Sequence, residues 1–155
     1  MPLTISTLQN LKNRYPQFKF VPSKDFIWSS SDNTIYYDNK SPDLSLLLLH
    51  ELSHALLGHN QYDRDIQLIT MERQAWDYTI ELAPSFGLEI PDNLAQSTLD
   101  SYRNWLHSRS ICPKCQATGM QTDKRQYSCP VCGYNWRVNE ARTCALRRYQ
   151  TKTRT

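Results

Sequence analysis

Apolar side chains recur at the spacing of an α-helix in four segments of the chain. Leu8 and Leu11 follow a Ser/Thr start and predict a short amphipathic helix over residues 6–15, which Pro16 ends. The same spacing returns three times at greater length and predicts helices over residues 41–60, 65–83 and 91–107. The first of these opens with Ser41-Pro42-Asp43, which is typical of a helix start, and it ends near Gly58.

Three short runs of aromatic and β-branched residues lie between the first and second predicted helices. They occupy residues 18–21, 26–28 and 34–37, and turn-forming residues separate them. This pattern predicts three short strands, the last two joined as a hairpin around the turn at 29–33. Helices and strands together predict an α+β fold with a small antiparallel or mixed sheet.

Charge and cysteine divide the chain into two chemically different parts. Residues 1–107 carry 8 Lys/Arg and 13 Asp/Glu, and residues 108–155 carry 10 and 2, so charges of −5 and +8 sum to +3. All five cysteines lie in the second part. We therefore predict a domain over residues 1–107, a small cysteine module over 108–140, and a basic, flexible tail over 141–155.

The apolar segments and the cysteine spacing exclude several classes of protein. The first residues lack the apolar segment of a secretory signal. The longest apolar run, the four leucines at 46–49, is far shorter than the roughly 20 residues that cross a bilayer. Paired C-x-x-C spacings favour a metal over a disulfide framework. We expect a cytoplasmic protein without a membrane partner.

The second predicted helix carries the motif H-E-x-x-H as His50-Glu51-Leu52-Ser53-His54. Residues four apart lie on one helical face, so His50 and His54 can present two imidazoles to one zinc ion. Glu51 lies beside that face, where a carboxylate can take a proton from a zinc-activated water.

A catalytic zinc site needs a third protein ligand and an open position for water. The downstream candidates are Glu72, Asp63, Asp65, Asp77, Glu81 and His59. His59 is five residues past His54, about 140° around a continuing helix, so we expect its side chain to face elsewhere. Glu72 lies inside the next helix, which passes back along the first if the two are antiparallel. We therefore predict that Glu72 is the third zinc ligand.

These segments resemble a known family of peptidases. LLLLHELSHALLGH, followed by MERQAWDYTIELAPSFGL, resembles the ImmA/IrrE-type zinc metallopeptidases and the related minigluzincins, over roughly residues 33–90. The resemblance implies a zincin-like domain in which a strand, the H-E-x-x-H helix and a helix beginning E-x-x-A follow one another. It implies that His50, His54 and Glu72 bind a catalytic zinc ion and that Glu51 is the general base.

The resemblance also implies a place for the substrate. Residues 34–37 would be the edge strand above the cleft, where an extended peptide adds by main-chain pairing, with Tyr36 and Tyr37 in contact with it.

Two departures from the family pattern affect the site. Gluzincins often carry Asp or Asn four residues after the ligand glutamate, to orient a histidine, but this chain has Trp76 there and Asp77 next to it. The orientation of the imidazole must then come from elsewhere. The group that stabilises the oxyanion stays open among Tyr36, Tyr37, Tyr78 and His107.

The cysteine module has the spacing of a zinc ribbon. Cys112, Cys115, Cys129 and Cys132 form C-x2-C-x13-C-x2-C, which predicts a closed tetrahedral site for a structural zinc ion. A hairpin is predicted between the two pairs and a strand over 134–138. We therefore expect two zinc ions as cofactors, one catalytic and one structural. Cys144 is left over and is expected to be a free thiol.

Basic residues in the second part suggest a nucleic-acid surface, centred on Lys124, Arg125 and Arg137. Further basic residues in this part are Lys114, Arg142, Arg147, Arg148, Lys152 and Arg154. The aromatic rings of Tyr127, Tyr134 and Trp136 are expected to be exposed beside them. A ribbon can equally dock a protein or only stabilise its own domain.

Three functions follow from these features. The leading one is a zinc-dependent metalloendopeptidase that cleaves a protein or peptide substrate. The second is a DNA-associated protease of the SprT-like kind, which also joins H-E-x-x-H to a zinc ribbon. The third is a non-catalytic zinc-binding regulator that acts through the ribbon on nucleic acid or protein, although the presence of Glu51 argues against it.

Overall fold

The computed structural model describes residues 3–139 and 146–151, with side chains from Thr7 onward. The described residues form an α+β structure with helices α1 (Leu3–Arg14), α2 (Leu44–Leu56), α3 (Asp65–Leu82) and α4 (Asp92–Ser110). A short 3₁₀ helix, Ala83–Phe86, follows α3 and ends at Gly87 in a left-handed conformation. The helices predicted from the sequence are all present, with ends that differ by a few residues.

Two small sheets complete the described fold. The first contains β1 (Lys19–Pro22), β2 (Ile27–Ser29) and β3 (Thr34–Tyr37). The second contains β4 (Met120–Asp123), β5 (Gln126–Ser128), β6 (Asn135–Val138) and β7 (Arg148–Gln150). In the described part of the chain, no helix has the length and apolarity needed to cross a membrane.

The chain divides into two compact units that interleave along the sequence. The first unit contains Met1–Gln61 and Met71–Ala95, and the second contains Tyr62–Thr70 and Gln96–Thr155. The boundary predicted near Ser108 differs from this division. The reason is that α4 continues to Ser110 without a break and most of it belongs with the cysteine module, as do the first six residues of α3.

The sheet of the first unit corrects the predicted edge strand. β3 pairs with β1 in parallel and with β2 as an antiparallel hairpin, so the strand order is β1-β3-β2. The hairpin was predicted correctly, but β3 lies in the centre and has no free edge. The edge strands of this three-stranded sheet are β1 and β2, and β2 contacts the H-E-x-x-H helix through a hydrogen bond from Trp28 N–H to Glu51.

Helix α2 is buried around most of its circumference because leucine and alanine occupy nearly every turn. Leu48, Leu49 and Leu52 are fully buried, and Ile35 of β3 is buried in the same unit. The helix begins at Leu44, later than the predicted start, and Ser41 Oγ accepts the backbone N–H of Asp43 ahead of it. This apolar packing fixes α2 as the rigid element that carries the two histidines.

The second unit contains the four cysteines and an antiparallel sheet of order β4-β5-β6-β7. Its core is formed by Cys112, Tyr127, Cys129, Trp136 and Val138, and the Tyr127 and Trp136 rings stack with centroids 5.6 Å apart. The expectation that Tyr127 and Trp136 are exposed is therefore wrong. A module this small has few apolar residues, so its aromatic rings are needed for the core. Tyr134 is only partly buried against them.

The predicted flexible tail contains a strand. Residues 148–150 form β7, which pairs with β6 in the register Arg137↔Tyr149, and Arg148 donates to the Ile111 carbonyl oxygen over 2.8 Å. The strand is three residues long and polar, so no hydrophobic alternation marks it in the sequence. Arg142, Cys144, Lys152 and Arg154, which also figured in the predictions, lie outside the described residues.

A buried ion pair ties the start of α3 to the cysteine module within the second unit. Arg109 donates to the Tyr127 hydroxyl over 2.8 Å and to Asp65 over 3.1 Å, and the Tyr127 hydroxyl donates to the other Asp65 oxygen. The Arg109 side chain is 2% exposed. Its guanidinium also lies 4.6 Å from the centre of the Trp105 ring. These contacts give the buried guanidinium and the Asp65 carboxylate polar partners in place of the water that burial removes.

Candidate metal centres

The two histidines of the motif lie one turn apart on α2, as the sequence predicts. Both side chains are buried, and His50 Nε2 and His54 Nε2 are 3.1 Å apart. The i, i+4 spacing places the two rings on one face of the helix. Both Nε2 atoms therefore converge on one point.

Glu72 of α3 completes the cluster. One carboxylate oxygen lies 3.0 Å from His50 Nε2, and the other lies 3.1 Å from His54 Nε2. Glu72 is 5% exposed, although it is a residue type that is rarely buried. Of the candidates for a third ligand, Glu72 is the one that the structure brings to the two histidines, within 4.8 Å of both.

The other candidates lie elsewhere. Asp65 contacts Arg109 and Tyr127 in the second unit, and Asp63 belongs to that unit as well. Asp77 and Glu81 are exposed on α3. His59 contacts His54 from the side away from the cluster, as described below.

The donor set and its spacing fit a zinc ion. Zinc binds imidazole nitrogen and carboxylate oxygen at about 2.0–2.2 Å, which separates tetrahedral ligands by about 3.3 Å. The observed separations of 3.0 and 3.1 Å between His50, His54 and Glu72 atoms are close to that value. Three protein ligands leave a fourth position, which is typical of a catalytic rather than a structural site.

The electrostatics of the cluster suit a cation. Burial lowers the pKa of His50, which favours the neutral imidazole that binds metals. Burial alone would raise the pKa of Glu72, but its contacts with His50 and His54 outweigh that effect and hold the pKa well below its usual range. Burial alone would lower the pKa of His54, but its contact with Glu72 outweighs that effect and raises it. Zinc requires the deprotonated carboxylate and neutral imidazoles, so its binding would displace a proton from His54.

Glu51 is partly exposed beside the cluster. Its Oε2 accepts the backbone N–H of Trp28, on edge strand β2, over 2.9 Å. Burial of the carboxylate, opposed by the nearby His54, raises the pKa of Glu51 to about 8. A carboxylate placed next to the metal ligands, with an elevated proton affinity, has the position and the chemistry of a general base.

Trp76, four residues after Glu72 on α3, packs against the histidine cluster. Its indole stacks on His50, with ring centroids 4.2 Å apart and an interplanar angle of 28°. His50 Nδ1 is buried and has no hydrogen-bond partner among the described residues. On this side the His50 ring is therefore held by packing against Trp76, with no hydrogen bond to its Nδ1 among the described residues.

The structure places His59 against His54, contrary to the expectation that it faces elsewhere. The Nδ1 atoms of the two rings are 2.8 Å apart, and His59 Nε2 lies 3.0 Å from Gln74 Oε1. The expectation failed because it continued the helix through residue 59, whereas α2 ends at Leu56 and Gly58 turns the chain back with φ of 69°.

A cavity of about 460 Å³ opens beside His59 and Gln74. Tyr78, one of the candidates for oxyanion stabilisation, lines it together with Leu57, Asp77 and Glu81.

The other aromatic and histidine candidates occupy different surroundings. Tyr37 is buried in the core, and the Tyr36 hydroxyl donates to Asp32 over 3.3 Å. Both tyrosines belong to the central strand β3 instead of a free edge. His107 is exposed and belongs to the second unit. The assignment of Tyr36 and Tyr37 to the substrate stays a prediction.

The four cysteines of the second unit form a second cluster among the described residues that can hold a metal, and their sulfur atoms lie within 4.8 Å of one another. Cys112 Sγ and Cys132 Sγ are 3.7 Å apart, and Cys115 Sγ and Cys129 Sγ are 3.4 Å apart. Thiolates at about 2.3 Å from a tetrahedral zinc ion are separated by about 3.8 Å, so the cluster fits zinc.

Each pair of cysteines lies on a tight turn that presents backbone N–H groups to sulfur. Lys114 N lies 3.4 Å from Cys112 Sγ, and Cys132 N lies 3.5 Å from Cys129 Sγ. The N–H of Cys132 holds the pKa of the Cys129 thiol below its usual range, at about 6. Donation to sulfur favours the thiolate, which is the form that binds metal.

The basic residues proposed for nucleic acid surround the second sheet. Arg137 is exposed on β6 and its guanidinium lies 4.6 Å from the centre of the Tyr149 ring on β7. Lys124 and Arg125 form the turn between β4 and β5, where Arg125 has φ of 59°. Arg137 therefore has an aromatic neighbour on an exposed face, but that neighbour is Tyr149 and not Tyr127 or Trp136.

Comparison of the chain with protein-family models, with curated proteins and with solved structures finds no match. The described residues contain two clusters of potential metal ligands, one of histidine and glutamate and one of cysteine.

Proposed function

We propose that this chain is a zinc-dependent metalloendopeptidase, similar to the ImmA/IrrE-type zincin-like enzymes and equipped with a C-terminal zinc ribbon. The observation that carries the proposal is the convergence of His50, His54 and Glu72 next to the partly exposed Glu51. A purely structural metal site needs a closed set of four ligands and has no use for a neighbouring carboxylate.

Zinc bound to the three residues would polarise the scissile carbonyl and lower the pKa of a bound water to about 7. His50, His54 and Glu72 are the residues that would hold the ion. Glu51 takes a proton from the attacking water and returns it to the leaving amine.

The edge strand β2 supplies the surface for an extended peptide. Trp28 N–H donates to Glu51, on the side of β2 away from β3, so a substrate strand that pairs with β2 would replace this hydrogen bond and would lie beside the general base. Addition of a peptide to a sheet edge is a common form of recognition, because main-chain hydrogen bonds do not depend on side-chain identity. We therefore assign to β2 the role that the sequence predicted for β3.

The four-cysteine module would bind a second, structural zinc ion. Cys112, Cys115, Cys129 and Cys132 saturate that ion, so its contribution is to folding and not to chemistry.

Substitution Glu51→Gln tests the proposal. The variant should keep its zinc and lose peptide cleavage, because the amide preserves the shape of the side chain but cannot take a proton. The substrate is found by incubating the variant in cell lysate and identifying the proteins that stay bound. Glu89→Gln, at an exposed position, is the matched control and should cleave like the parent chain. Cleavage of the trapped protein by Glu51→Gln at the parental rate would refute the proposal.

A second candidate is a protease that acts on proteins bound to DNA. The specific observation in its favour is the exposed pair of Arg137 and Tyr149 on neighbouring strands, which combines a cation with an aromatic ring. The same trapping experiment distinguishes the candidates. Recovery of nucleic acid that is released by salt and lost in Arg137→Ala favours this candidate over the first.

A further inference from the structure

The two histidines of the proposed catalytic site differ in how their outer nitrogens are held. Both rings direct Nε2 toward Glu72, so Nδ1 is the nitrogen that carries the proton when Nε2 binds a metal. In His50 that Nδ1 atom has no hydrogen-bond partner among the described residues. In His54 it has one, the side chain of His59.

The contact between His54 and His59 continues to a third side chain. His54 Nδ1 lies 2.8 Å from His59 Nδ1, and His59 Nε2 lies 3.0 Å from Gln74 Oε1. An amide oxygen only accepts, so His59 Nε2 donates to Gln74 and His59 Nδ1 is left as an acceptor. It therefore accepts the Nδ1–H of His54. The chain of contacts fixes the tautomer in which His54 Nε2 is free to bind a metal.

The local backbone explains why His59 reaches His54. The N–H of Gly58 bonds to the Ala55 carbonyl and the N–H of His59 bonds to the His54 carbonyl, the two bonds of a Schellman motif. In this motif the residue after the left-handed glycine contacts the residue five positions before it, most often through apolar side chains. Here both positions are histidine, and the contact is a hydrogen bond.

The position of His59 is also fixed from outside the helix. The indole N–H of Trp28 donates to the His59 carbonyl oxygen over 2.9 Å. Gln74 lies on α3, half a turn from the ligand Glu72. His59 is thus held by β2 on its backbone and by α3 on its side chain.

We propose that His59, supported by Gln74, is the positioning residue for His54, whereas His50 is held by stacking on Trp76. The inference rests on the proposed function, since it needs His54 to be a zinc ligand. Such outer contacts orient the ligand ring and raise its basicity, and their loss typically weakens metal binding about 10- to 100-fold.

The zinc-loaded full chain provides the test, through substitutions that separate shape from hydrogen bonding. His59→Phe keeps a ring without an acceptor, whereas His59→Asn places an amide oxygen near the position of Nδ1. Gln74→Leu removes the outer acceptor at an exposed position, where the fold should tolerate it, and Arg73→Leu, at the exposed position before it on the same helix, is the matched control.

The first measurement is the rate of zinc transfer to a chelator, with the phase that is absent in His50→Ala assigned to this site. His59→Phe should accelerate that phase about 10- to 100-fold, Gln74→Leu should accelerate it less, and His59→Asn and Arg73→Leu should stay near the parent chain. The phase that belongs to the four cysteines should be unchanged in all four variants.

The second measurement is nitrogen NMR of chains labelled at histidine. The Nδ1 proton of His54 should give a protected signal that disappears in His59→Phe and returns in His59→Asn. An unchanged release rate in both His59→Phe and Gln74→Leu, or equal acceleration by His59→Phe and His59→Asn, would overturn the positioning role. Neither measurement depends on cleavage, so failure of the peptidase proposal in Glu51→Gln is recognised separately.

Discussion

At the scale of single residues, the histidine cluster combines contacts made by helical spacing with one contact made by a turn, that of His59 with His54. His50 and His54 are neighbours through helical spacing alone, and Glu72 follows once a second helix is assumed to run back along the first. His59 was missed because its contact depends on the left-handed turn at Gly58. The signal was nevertheless present, since histidines at the two contact positions of a Gly-ended helix can be read from the sequence.

Arg109 has a structural role, in the buried ion pair with Asp65, that no sequence motif predicts. Its substitution by Met removes the donor to Asp65 and Tyr127 while the carboxylate of Asp65 stays partly buried. Loss of one partner from such a pair costs about 3 kcal/mol of the free energy of unfolding. Urea unfolding of the zinc-loaded chain measures it, with Arg103→Met as the control. The pair of Arg103 and Asp100 is exposed, so its loss should cost less than about 1 kcal/mol. Equal midpoints for the two variants would contradict this account.

The secondary-structure elements were predicted well where their signal is local and poorly where it depends on the order of strands. The β2–β3 hairpin follows from the turn-forming residues between these two strands. The central position of β3 depends in addition on its parallel pairing with β1, which is not its neighbour in the sequence. In β6 the buried Trp136 and Val138 alternate with the exposed Arg137. That period of two was a sequence signal for a buried face, and it outweighs the inference of exposure from neighbouring charges.

Gly119 is an element-scale requirement of the ribbon. Its N–H donates to the Ser110 carbonyl over 2.7 Å, and a Cβ atom there would lie 2.8 Å from Trp136 Cζ2 and 2.9 Å from the Ser110 oxygen. Gly119→Ala should therefore lower the free energy of unfolding by about 1–3 kcal/mol through overpacking.

The thermal midpoint of the zinc-loaded chain measures the effect of Gly119→Ala. Gly87→Ala is the comparison, because its left-handed φ of 68° is strained for alanine but nothing lies within 4 Å of the added methyl group. It should cost about 1 kcal/mol. A Gly119→Ala chain as stable as the parent would show that the Trp136 ring moves freely.

At the scale of the whole molecule, the described residues contain two candidate metal sites, and the uneven charge and cysteine distributions already separate them along the chain. The ligand clusters lie in different units, one of histidine and carboxylate and one of thiolate. The sequence does not predict where the chain divides into its two units. Helices α3 and α4 each pass from one unit to the other, and an unbroken helix leaves no mark of a boundary in composition.

Elemental analysis of the purified chain should find two zinc ions. His50→Ala should lower the count to one and leave the ribbon folded. Cys112→Ser should also lower it to one, with loss of the tertiary signal of Trp136, because a module of this size depends on its metal for folding. One zinc ion in the parent chain, removed by Cys112→Ser and unaffected by His50→Ala, would exclude the peptidase centre.

The stacking of Trp76 on His50 also gives the molecule an optical reporter. An indole emits according to the charge beside its ring, and this indole lies 4.2 Å from an imidazole that a divalent ion would polarise. Trp136, enclosed in the other unit among the cysteine side chains, is the indole positioned to respond to the ribbon. Fluorescence of Trp76→Phe and Trp136→Phe chains can therefore follow the loading of each centre in real time, without a dye or a substrate.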